Sequence, residues 1–344
     1  MQHTVRPSTP ADAGAIAALF AEAGLHPNLD PPQLQWKYWQ PRADWPNPRS
    51  FVLTDGSDAI AHGAIVPGAW RSGTRRMSIL HMIDWAARRT EAGAGTMLMK
   101  HIGRQAEGLL AIGGSAQTLQ ILPHLGFRVA GTVTGYVRTL FPLRLFTGAG
   151  VRRWRALPRF ARGVAGALSA PSAGEAGWQA RRIAVNELER VCAVLPVAVR
   201  GTAVLERSVA LFAHALSCPI VPMRLHSLER AGRVRGYFLL AAAPGQVRIA
   251  DCWVDSDEPR DWRAMIHHAI EQAKLDAQVA EIVGWASDSL LSASLRACGF
   301  RARYELPIRV RPADAASMPP APLRVQMLDS DAAYLHEGRS EFWT

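Results

Sequence analysis

Residues 79–98 read ILHMIDWAARRTEAGAGTML, and this stretch decides the fold because a strand pattern passes into a helix pattern within it. A strand-like run at 75–86 ends in a short loop, and the apolar spacing of a helix follows at about 96–107. Gly93 and Gly95 lie immediately before that helix. A helix N-terminus offers unpaired amide donors and a positive dipole end, and glycine lets the backbone approach a ligand closely. The stretch therefore predicts a strand, a glycine-containing loop and a helix, and the loop meets the physical requirements of a phosphate site.

Two strand-like runs precede this stretch, at 50–54 and 59–70, and a short turn containing glycine follows each of them. Connections of this length predict antiparallel hairpins. After the helix, an apolar strand at 109–112 leads to a second short helix that closes with Gly126-Phe127. The first half of the chain is therefore predicted to contain three strands, a helix, a strand and a helix.

The second half of the chain repeats this order of elements. Strand-like runs at 234–242 and 247–254 precede a helix at about 260–276, a strand at 281–285 and a short helix that closes with Gly299-Phe300. Chance can produce two Gly-Phe pairs, but it does not readily reproduce the order of the elements around them. The two halves are therefore predicted to be related.

The spacing inside the repeat also agrees, because Ser115 lies eleven residues before Gly126 and Asp288 lies eleven residues before Gly299. A long-period repeat of this kind indicates a duplicated domain. We therefore predict an α/β (α+β) protein with two copies of one fold, each a mixed, mostly antiparallel twisted sheet flanked by helices. The predicted parts are an N-terminal domain at 1–145, a basic linker at 146–178, a C-terminal domain at 179–312 and a tail at 313–344.

The 344 residues carry a net charge of +10, and the middle of the chain is strongly basic. No Asp or Glu occurs between Glu107 and Glu175, whereas eight arginines do: Arg128, Arg138, Arg144, Arg152, Arg153, Arg155, Arg159 and Arg162. This stretch favours anionic partners such as phosphate-bearing ligands, acidic lipid head groups or nucleic acid, and the alternative is a solvated connector. An apolar stripe beside arginines at 150–170 predicts either peripheral membrane contact or packing against the protein itself.

Composition disfavours several other classes of protein. The chain has no run of about 18 apolar residues and no apolar stretch near its start, so we expect a cytoplasmic protein without a membrane span or secretion signal. Four cysteines without a CxxC pair argue against a disulfide framework and against a structural zinc site: Cys192, Cys218, Cys252 and Cys298. We expect no metal site.

Four short motifs follow one another along the first half of the chain. They are Val5-Arg6-Pro7 with Thr9-Pro10-Ala11-Asp12-Ala13, Trp36-Lys37-Tyr38-Trp39, Gly93-Ala94-Gly95, and Gly113-Gly114-Ser115 with Leu125-Gly126-Phe127. In this order they resemble the GNAT acyltransferase superfamily, and in particular a bacterial group with two GNAT domains that often accompanies polysaccharide biosynthesis. The resemblance implies two tandem GNAT folds and an acyl-CoA co-substrate, acetyl-CoA or another acyl-CoA.

The resemblance places the acyl-CoA in the first copy, with strand amides on the pantetheine arm and the glycine loop on the pyrophosphate. The implied cofactor-binding residues are Trp85, Ala86, Ala87, Arg89, Gly93, Ala94, Gly95, Thr96 and Ser115. For Ser115, capping of its own helix is the alternative. The matching loop of the second copy, 255–261, has four acidic residues and no glycine, which would repel a pyrophosphate. This second copy is therefore predicted to shape the substrate cleft.

Acyl transfer to an amine needs a group that accepts the amine proton. Asp84 is the predicted base, because a carboxylate in an otherwise apolar run needs a reason to be there. The alternative is a carboxylate bonded to loop amides or to Arg88. His81, in the same strand, is interpreted as a satisfied core histidine. His124 is the predicted general acid, with an ordinary surface histidine as its alternative.

Three functions remain open at this point. The first is an acyl-CoA-dependent N-acyltransferase, in the simplest case an acetyltransferase, acting on a small amine such as an amino sugar. The second is an aminoacyltransferase of the peptidoglycan-branching type, whose aminoacyl-tRNA donor would bind the basic stretch. The third is an inactive GNAT-like binding protein, favoured by Thr90 and Leu122, which stand where the superfamily has Arg or Gln and a Tyr general acid. No DNA partner is expected in any of the three.

Overall fold

Fourteen strands form one continuous sheet in the computed structural model, which describes residues 3–25, 28–147, 164, 177–196, 202–314, 318, 323–336 and 342–344. The strands are β1 His3–Pro7, β2 Ser50–Asp55, β3 Asp58–Ser72, β4 Arg75–Ala87, β5 Gly108–Ile112, β6 Arg128–Thr139, β7 Trp178–Arg182, β8 Ala203–Leu205, β9 Met223–Arg230, β10 Arg233–Ala243, β11 Gln246–Val254, β12 Glu281–Ala286, β13 Arg301–Pro312 and β14 Leu323–Arg324. Most of the predicted linker at 146–178, and nearly all of the proposed membrane contact at 150–170, lie outside the described residues.

Helices flank this sheet. They are α1 Ala13–Ala23, α2 Pro31–Leu34, α3 Ala94–Ile102, α4 Ala116–Ile121, α5 Arg144–Thr147, α6 Glu189–Cys192, α7 Val209–Leu216, α8 Pro259–Lys274 and α9 Ser289–Ala297. The chain also has a π-helical turn at Gln35–Trp39 and several 3-10 turns, which include Leu122–Leu125, Met327–Asp329 and Asp331–Ala333. Within the described part of the chain, no helix is long and apolar enough to cross a membrane.

The strand order is β1-β2-β3-β4-β5-β13-β6-β12-β11-β10-β9-β7, and off this path β8 pairs antiparallel with β3 and parallel with β14. Along this path β4 pairs with β5 and β11 pairs with β12 in parallel, whereas the other pairs are antiparallel. The α/β class, with a large and mostly antiparallel sheet flanked by helices, is thereby confirmed. The two halves do not keep separate sheets, because β13 inserts between β5 and β6. The predicted domain boundaries stay a prediction.

Helix α3 packs on the first half of the sheet through Leu98, Met99 and Ile102, each almost fully buried. Burial of each such side chain stabilises the fold by about 2 kcal/mol. The prediction of a helix over 96–107 was wrong at both ends. The helix begins at Ala94 and ends at Ile102. Beyond it the chain turns, and Glu107 accepts a hydrogen bond from the Ser78 amide at 2.7 Å.

Candidate functional site

The parallel pairing of β4 with β5 stops partway along β4, and we call the gap beyond it the first opening. Their parallel pairing consists of Ile79 with Gly108, Leu80 with Leu109 and His81 with Leu110. Past that point β5 pairs with β13, while β4 continues to Ala87 and pairs with β3 alone. Within the described ranges, no hydrogen bond joins β4 beyond His81 to β5. In the first opening, β4 therefore has no paired strand on its β5 side among the described strands, although it lies in the middle of the sheet.

A β-bulge shapes the β4 side of the first opening. The β3–β4 register passes from Ala64 opposite Ile83 to His62 opposite Ala86, so Asp84 and Trp85 share one place on the partner strand. Asp84 has φ of +48°, a left-handed conformation that costs a residue other than glycine about 1–2 kcal/mol. Strain of this kind persists only where surrounding contacts hold it.

Those contacts come from the π-helical turn. Lys37 Nζ donates to Asp84 Oδ2 at 2.9 Å and the Tyr38 hydroxyl donates to the same oxygen at 2.7 Å. The side chains of Lys37 and Asp84 are 1% and 7% exposed, so the ion pair is buried. Burial, and next the charge of Asp84, hold the pKa of Tyr38 well above its usual range.

The Asp84 carboxylate therefore has structural partners, as the alternative interpretation required. They are Lys37 and Tyr38, whereas the sequence suggested loop amides or Arg88. Arg88 instead lies 3.9 Å from Glu22 and 3.7 Å from Asp58. The role of Asp84 as a base stays a prediction, and in that role the carboxylate would act while already accepting two hydrogen bonds.

His62 supports the bulge from the neighbouring strand. Its Nδ1 lies 3.0 Å from the Asp84 carbonyl oxygen and its Nε2 lies 2.8 Å from Ser50 Oγ. A carbonyl oxygen only accepts, so Nδ1 carries the proton and Nε2 accepts from the serine. Burial lowers the pKa of His62 to about 4, which keeps the ring neutral.

The helix start beside the first opening fits an anionic group. Gly93 caps α3 with φ of +84°, and nothing lies within 4 Å of where its Cβ would be. In the described part of the chain, the amides of Gly95 and Thr96 have no backbone acceptor. A phosphate at this position would therefore meet free donors and the positive end of the helix dipole.

Gly95 has a second role that the sequence did not reveal. A Cβ at this position would lie 3.1 Å from Trp85 Nε1, and the same nitrogen donates to the Gly95 carbonyl at 3.2 Å. A side chain at this position would press on the indole of Trp85, and the indole ties the bulge to the helix start. Among the other predicted cofactor-binding residues, Arg89 is exposed, Thr96 is half-buried, and Ala86 and Ala94 are buried.

The remaining predicted residues lie around α4. Ser115 caps this helix, because its Oγ accepts from the Thr118 amide at 3.1 Å. His124 is exposed on the 3-10 turn that follows. Leu122, at the position where the superfamily has a tyrosine, is 1% exposed and packs in the apolar cluster with α3. The cofactor role of Ser115 and the acid role of His124 stay predictions.

His81 lies at the apex of the first opening, on the sheet face opposite α3. Its Nδ1 is 3.0 Å from the Asp329 carbonyl oxygen, so Nδ1 donates and Nε2 keeps its lone pair. Burial lowers the pKa of His81 to about 4. The ring lines a cavity of about 20 Å³ together with Leu110, Leu328 and Asp329. The sequence predicted a core histidine with its hydrogen bonds satisfied. Nδ1 has such a partner, but the described residues supply none for Nε2.

A second carboxylate near Asp84, that of half-buried Asp331 in the tail, was missed at the sequence level. Asp331 is held by the Ser330 hydroxyl at 2.9 Å. Burial, and next the charge of Asp84, raise the pKa of Asp331 to about 6, with Lys37 acting in the opposite direction. The tail thus brings a titratable group toward the Lys37–Asp84 pair. No sequence pattern connects positions so far apart along the chain.

The acidic loop of the second half serves the start of α8. Ser256 Oγ donates to Asp261 at 2.6 Å, and the Trp262 indole donates to the Ser256 carbonyl at 2.7 Å. Pro259 occupies the first turn of the helix. These bonds explain the loop without a bound phosphate.

Comparison with known proteins supports the fold. No protein-family model and no curated protein sequence matches the chain. Among solved structures, GCN5-related N-acetyltransferases from Anabaena variabilis and Kribbella flavida superpose with TM-scores of 0.59 and 0.60, at 10% and 13% identity. Each alignment covers 92% of this chain, and 74% and 72% of those chains respectively.

A third solved structure, Saccharomyces cerevisiae N-myristoyltransferase with bound myristoyl-CoA and inhibitors, gives a TM-score of 0.58 at 12% identity. The alignment covers 90% of this chain and 80% of that chain. Sequence identities this low carry the fold and no further. In its fold, the chain is similar to the GCN5-related N-acetyltransferases.

Proposed function

We propose that this chain is an acyl-CoA-dependent N-acyltransferase of the cytoplasm, with acyl-CoA in the first opening and a small amine as acceptor. One observation carries the proposal. The unpaired edge of β4 beyond His81 lies beside the free amides of Gly95 and Thr96, so one extended ligand could bond the strand edge and place a phosphate at the helix start. The fold similarity to acyl-CoA-using enzymes supports the same assignment.

The chemistry requires a neutral amine that attacks the thioester carbonyl. The new C–N bond forms, the C–S bond breaks, and CoA leaves as a thiolate while the amine loses a proton. Asp84 is the proton acceptor that the sequence predicts. His81 is a second candidate, because Nδ1 makes its hydrogen bond to Asp329 and leaves Nε2 as the basic nitrogen, and the residue lines a cavity at the apex of the first opening. A neutral imidazole can take the proton directly or through one water molecule. His124 or solvent would return a proton to the thiolate.

The acyl group and the acceptor are the finer parts of the proposal. Acetyl-CoA is the simplest donor, and an amino sugar used in polysaccharide biosynthesis is the acceptor that the sequence resemblance favours. A screen of amino sugars, amino acids and polyamines, read as release of free CoA thiol, tests the acceptor. Competition between acetyl-CoA and longer acyl-CoAs tests the acyl group.

Calorimetry of acetyl-CoA binding to the wild type and to Gly93→Glu tests the site itself. A unit charge about 6 Å from a phosphate costs about 3 kcal/mol at an effective dielectric constant of 20, or about 100-fold in Kd. Gly73→Glu is the matched control, because Gly73 also has positive φ and open space around its Cβ but lies in the turn at the other end of β4.

Loss of binding in Gly93→Glu with retention in Gly73→Glu is the expected result. No binding to the folded wild type at millimolar acetyl-CoA would overturn the proposal and favour the inactive binding protein. The aminoacyl-tRNA alternative has less support from the described arginines. Arg138 donates to the Cys298 carbonyl and Arg144 to the Val279 carbonyl, so both serve the fold.

A further inference from the structure

The second half of the sheet contains an opening that matches the first in register, and we call it the second opening. Parallel pairing of β11 with β12 ends at Ile249 opposite Gly284, as pairing of β4 with β5 ends at His81 opposite Leu110. Four residues beyond the last paired residue, each strand has a tryptophan, Trp253 and Trp85. Counted in this way, Cys252 corresponds to Asp84 and Ile249 corresponds to His81.

The chain itself occupies the part of the second opening next to Cys252, and a cavity of about 520 Å³ lined by Trp253, Asp288 and Arg324 lies beside it. The carboxamide of Gln326 accepts from the Cys252 amide at 2.9 Å and donates to the Cys252 carbonyl at 2.7 Å. One side-chain amide thus satisfies both backbone groups, as a neighbouring strand or a bound secondary amide would. The β11 edge of the second opening is therefore occupied.

The tail is also bonded at the end of β12. Ser287 follows β12, and its hydroxyl accepts from the Val325 amide at 2.8 Å and donates to the Leu323 carbonyl at 2.9 Å. The segment 323–326 thus bridges both sides of the second opening through four hydrogen bonds. No comparable segment joins β4 beyond His81 to β5 among the residues that the structure describes.

Aromatic and charged contacts hold the segment in place. The guanidinium of Arg324 lies 4.6 Å from the Trp253 ring centroid and 4.5 Å from that of Trp262, and the side chain is 9% exposed. Three residues after the bridge, Asp329 pairs with buried Arg207 at 2.7 Å. Arg207 also holds Asp251 of β11 through two bonds of 2.8 Å. The tail is therefore fixed at both ends of its passage through the second opening.

We propose that the second opening is a slot for an extended, amide-bearing chain, such as a pantetheine arm, and that residues 323–326 are its permanent internal occupant. The protein then takes one acyl-CoA per chain, in the first opening. That stoichiometry rests on the proposed function, whereas the occupied slot does not. The same tail carries the Asp329 carbonyl to His81, so the occupied slot fixes which nitrogen of His81 holds the proton.

The thiol of Cys252 reports whether the slot is occupied, because it is 1% exposed and its Sγ lies 3.3 Å from Gln326 Oε1. The experiment measures modification by N-ethylmaleimide, cysteine by cysteine, with peptide mass spectrometry. In the wild type we expect Cys252 to stay unmodified while the denatured protein reacts fully. In Gln326→Ala we expect Cys252 to react at least tenfold faster than in the wild type.

Two controls separate release of the tail from damage to the fold. Gln278→Ala changes an exposed glutamine and is expected to leave Cys252 protected. Cys298 is fully buried and lies outside the second opening, so it stays unmodified if Gln326→Ala is folded. Ser287→Ala is the milder second variant, and we expect it to expose Cys252 through loss of the two bonds on the β12 side.

Protection of Cys252 in both Gln326→Ala and Ser287→Ala would overturn the proposal, as would rapid modification in the wild type. Calorimetry adds an independent result, because two acetyl-CoA molecules bound per wild-type chain would also overturn it. Complete failure of acetyl-CoA binding would instead count against the proposed function and leave the Cys252 result valid. The two failures are therefore distinguishable.

Discussion

Replacement of Lys37 by methionine tests whether the buried ion pair holds the bulge in β4. The Lys37 ammonium is 2.9 Å from Asp84 Oδ2, and at an effective dielectric constant of 20 their attraction is about 6 kcal/mol. Desolvation of both ions offsets much of that attraction. Removal of one partner of a buried pair nevertheless costs about 3–5 kcal/mol, because the other charge stays buried without it. We expect Lys37→Met to lose about that much free energy of unfolding.

Urea unfolding followed by tryptophan fluorescence measures this loss, and a double-mutant cycle assigns it. Asp84→Asn removes the other charge, and asparagine tolerates the left-handed conformation at this position. We expect Lys37→Met/Asp84→Asn to cost at least about 2 kcal/mol less than the sum of the single variants. Lys100→Met, at an exposed lysine, is the control and should change stability by less than about 0.5 kcal/mol. Strict additivity of the two single variants would refute the buried pair.

Two further predictions concern the buried histidines. His81→Asn keeps a donor for the Asp329 carbonyl but lacks Nε2. With an amine substrate found by the screen, we expect thiol release from acetyl-CoA to fall by about 10²–10⁴-fold, with little change in Tm. Retention of half the rate would exclude His81 as the base. Burial lowers the folded-state pKa of His62 and of His81 from 6.5 to about 4. Below pH 6.5 the unfolded chain therefore binds protons that the folded protein does not, and the free energy of unfolding falls by about 3 kcal/mol for each ring as the pH approaches 4. Urea midpoints between pH 7 and 4.5 measure this slope, which should be shallower in His62→Gln, and an equal slope in that variant would contradict the assignment.

Local patterns predicted the fold well where neighbours along the chain decide the structure. The strands predicted at 50–54, 59–70 and 75–86 lie within one or two residues of the observed ones, because alternation and glycine turns mark them. The insertion of β13 between β5 and β6 was not predictable, because strand exchange leaves no signal in the pattern of either strand. The register of the two openings likewise depends on pairings that only the folded sheet shows.

Part of the candidate site was likewise predictable from the sequence, and part was not. The glycine loop and the unusual Asp84 were visible in the sequence, since both depart from local expectation. The partners of Asp84 were not, because Lys37 lies 47 residues away and the pair forms only when the π-helical turn folds onto β4. The Asp329 carbonyl that holds His81 comes from the tail, and no local pattern in the tail predicts where it crosses the sheet.

The two openings differ in the side chains that they have at matched positions. At matched positions the first opening has His81 and Asp84, whereas the second has Ile249 and Cys252. The carboxylate that the second opening retains, Asp251, is fully buried and accepts hydrogen bonds from Nε and Nη2 of Arg207. A buried ionisable group raises the free energy of the fold unless it is paired, so Ile249 and Cys252 are the less costly residues for a slot that only holds the tail. In the first opening Lys37 pairs with Asp84 and burial keeps His81 neutral, and the proposed acyl transfer would give both groups a use.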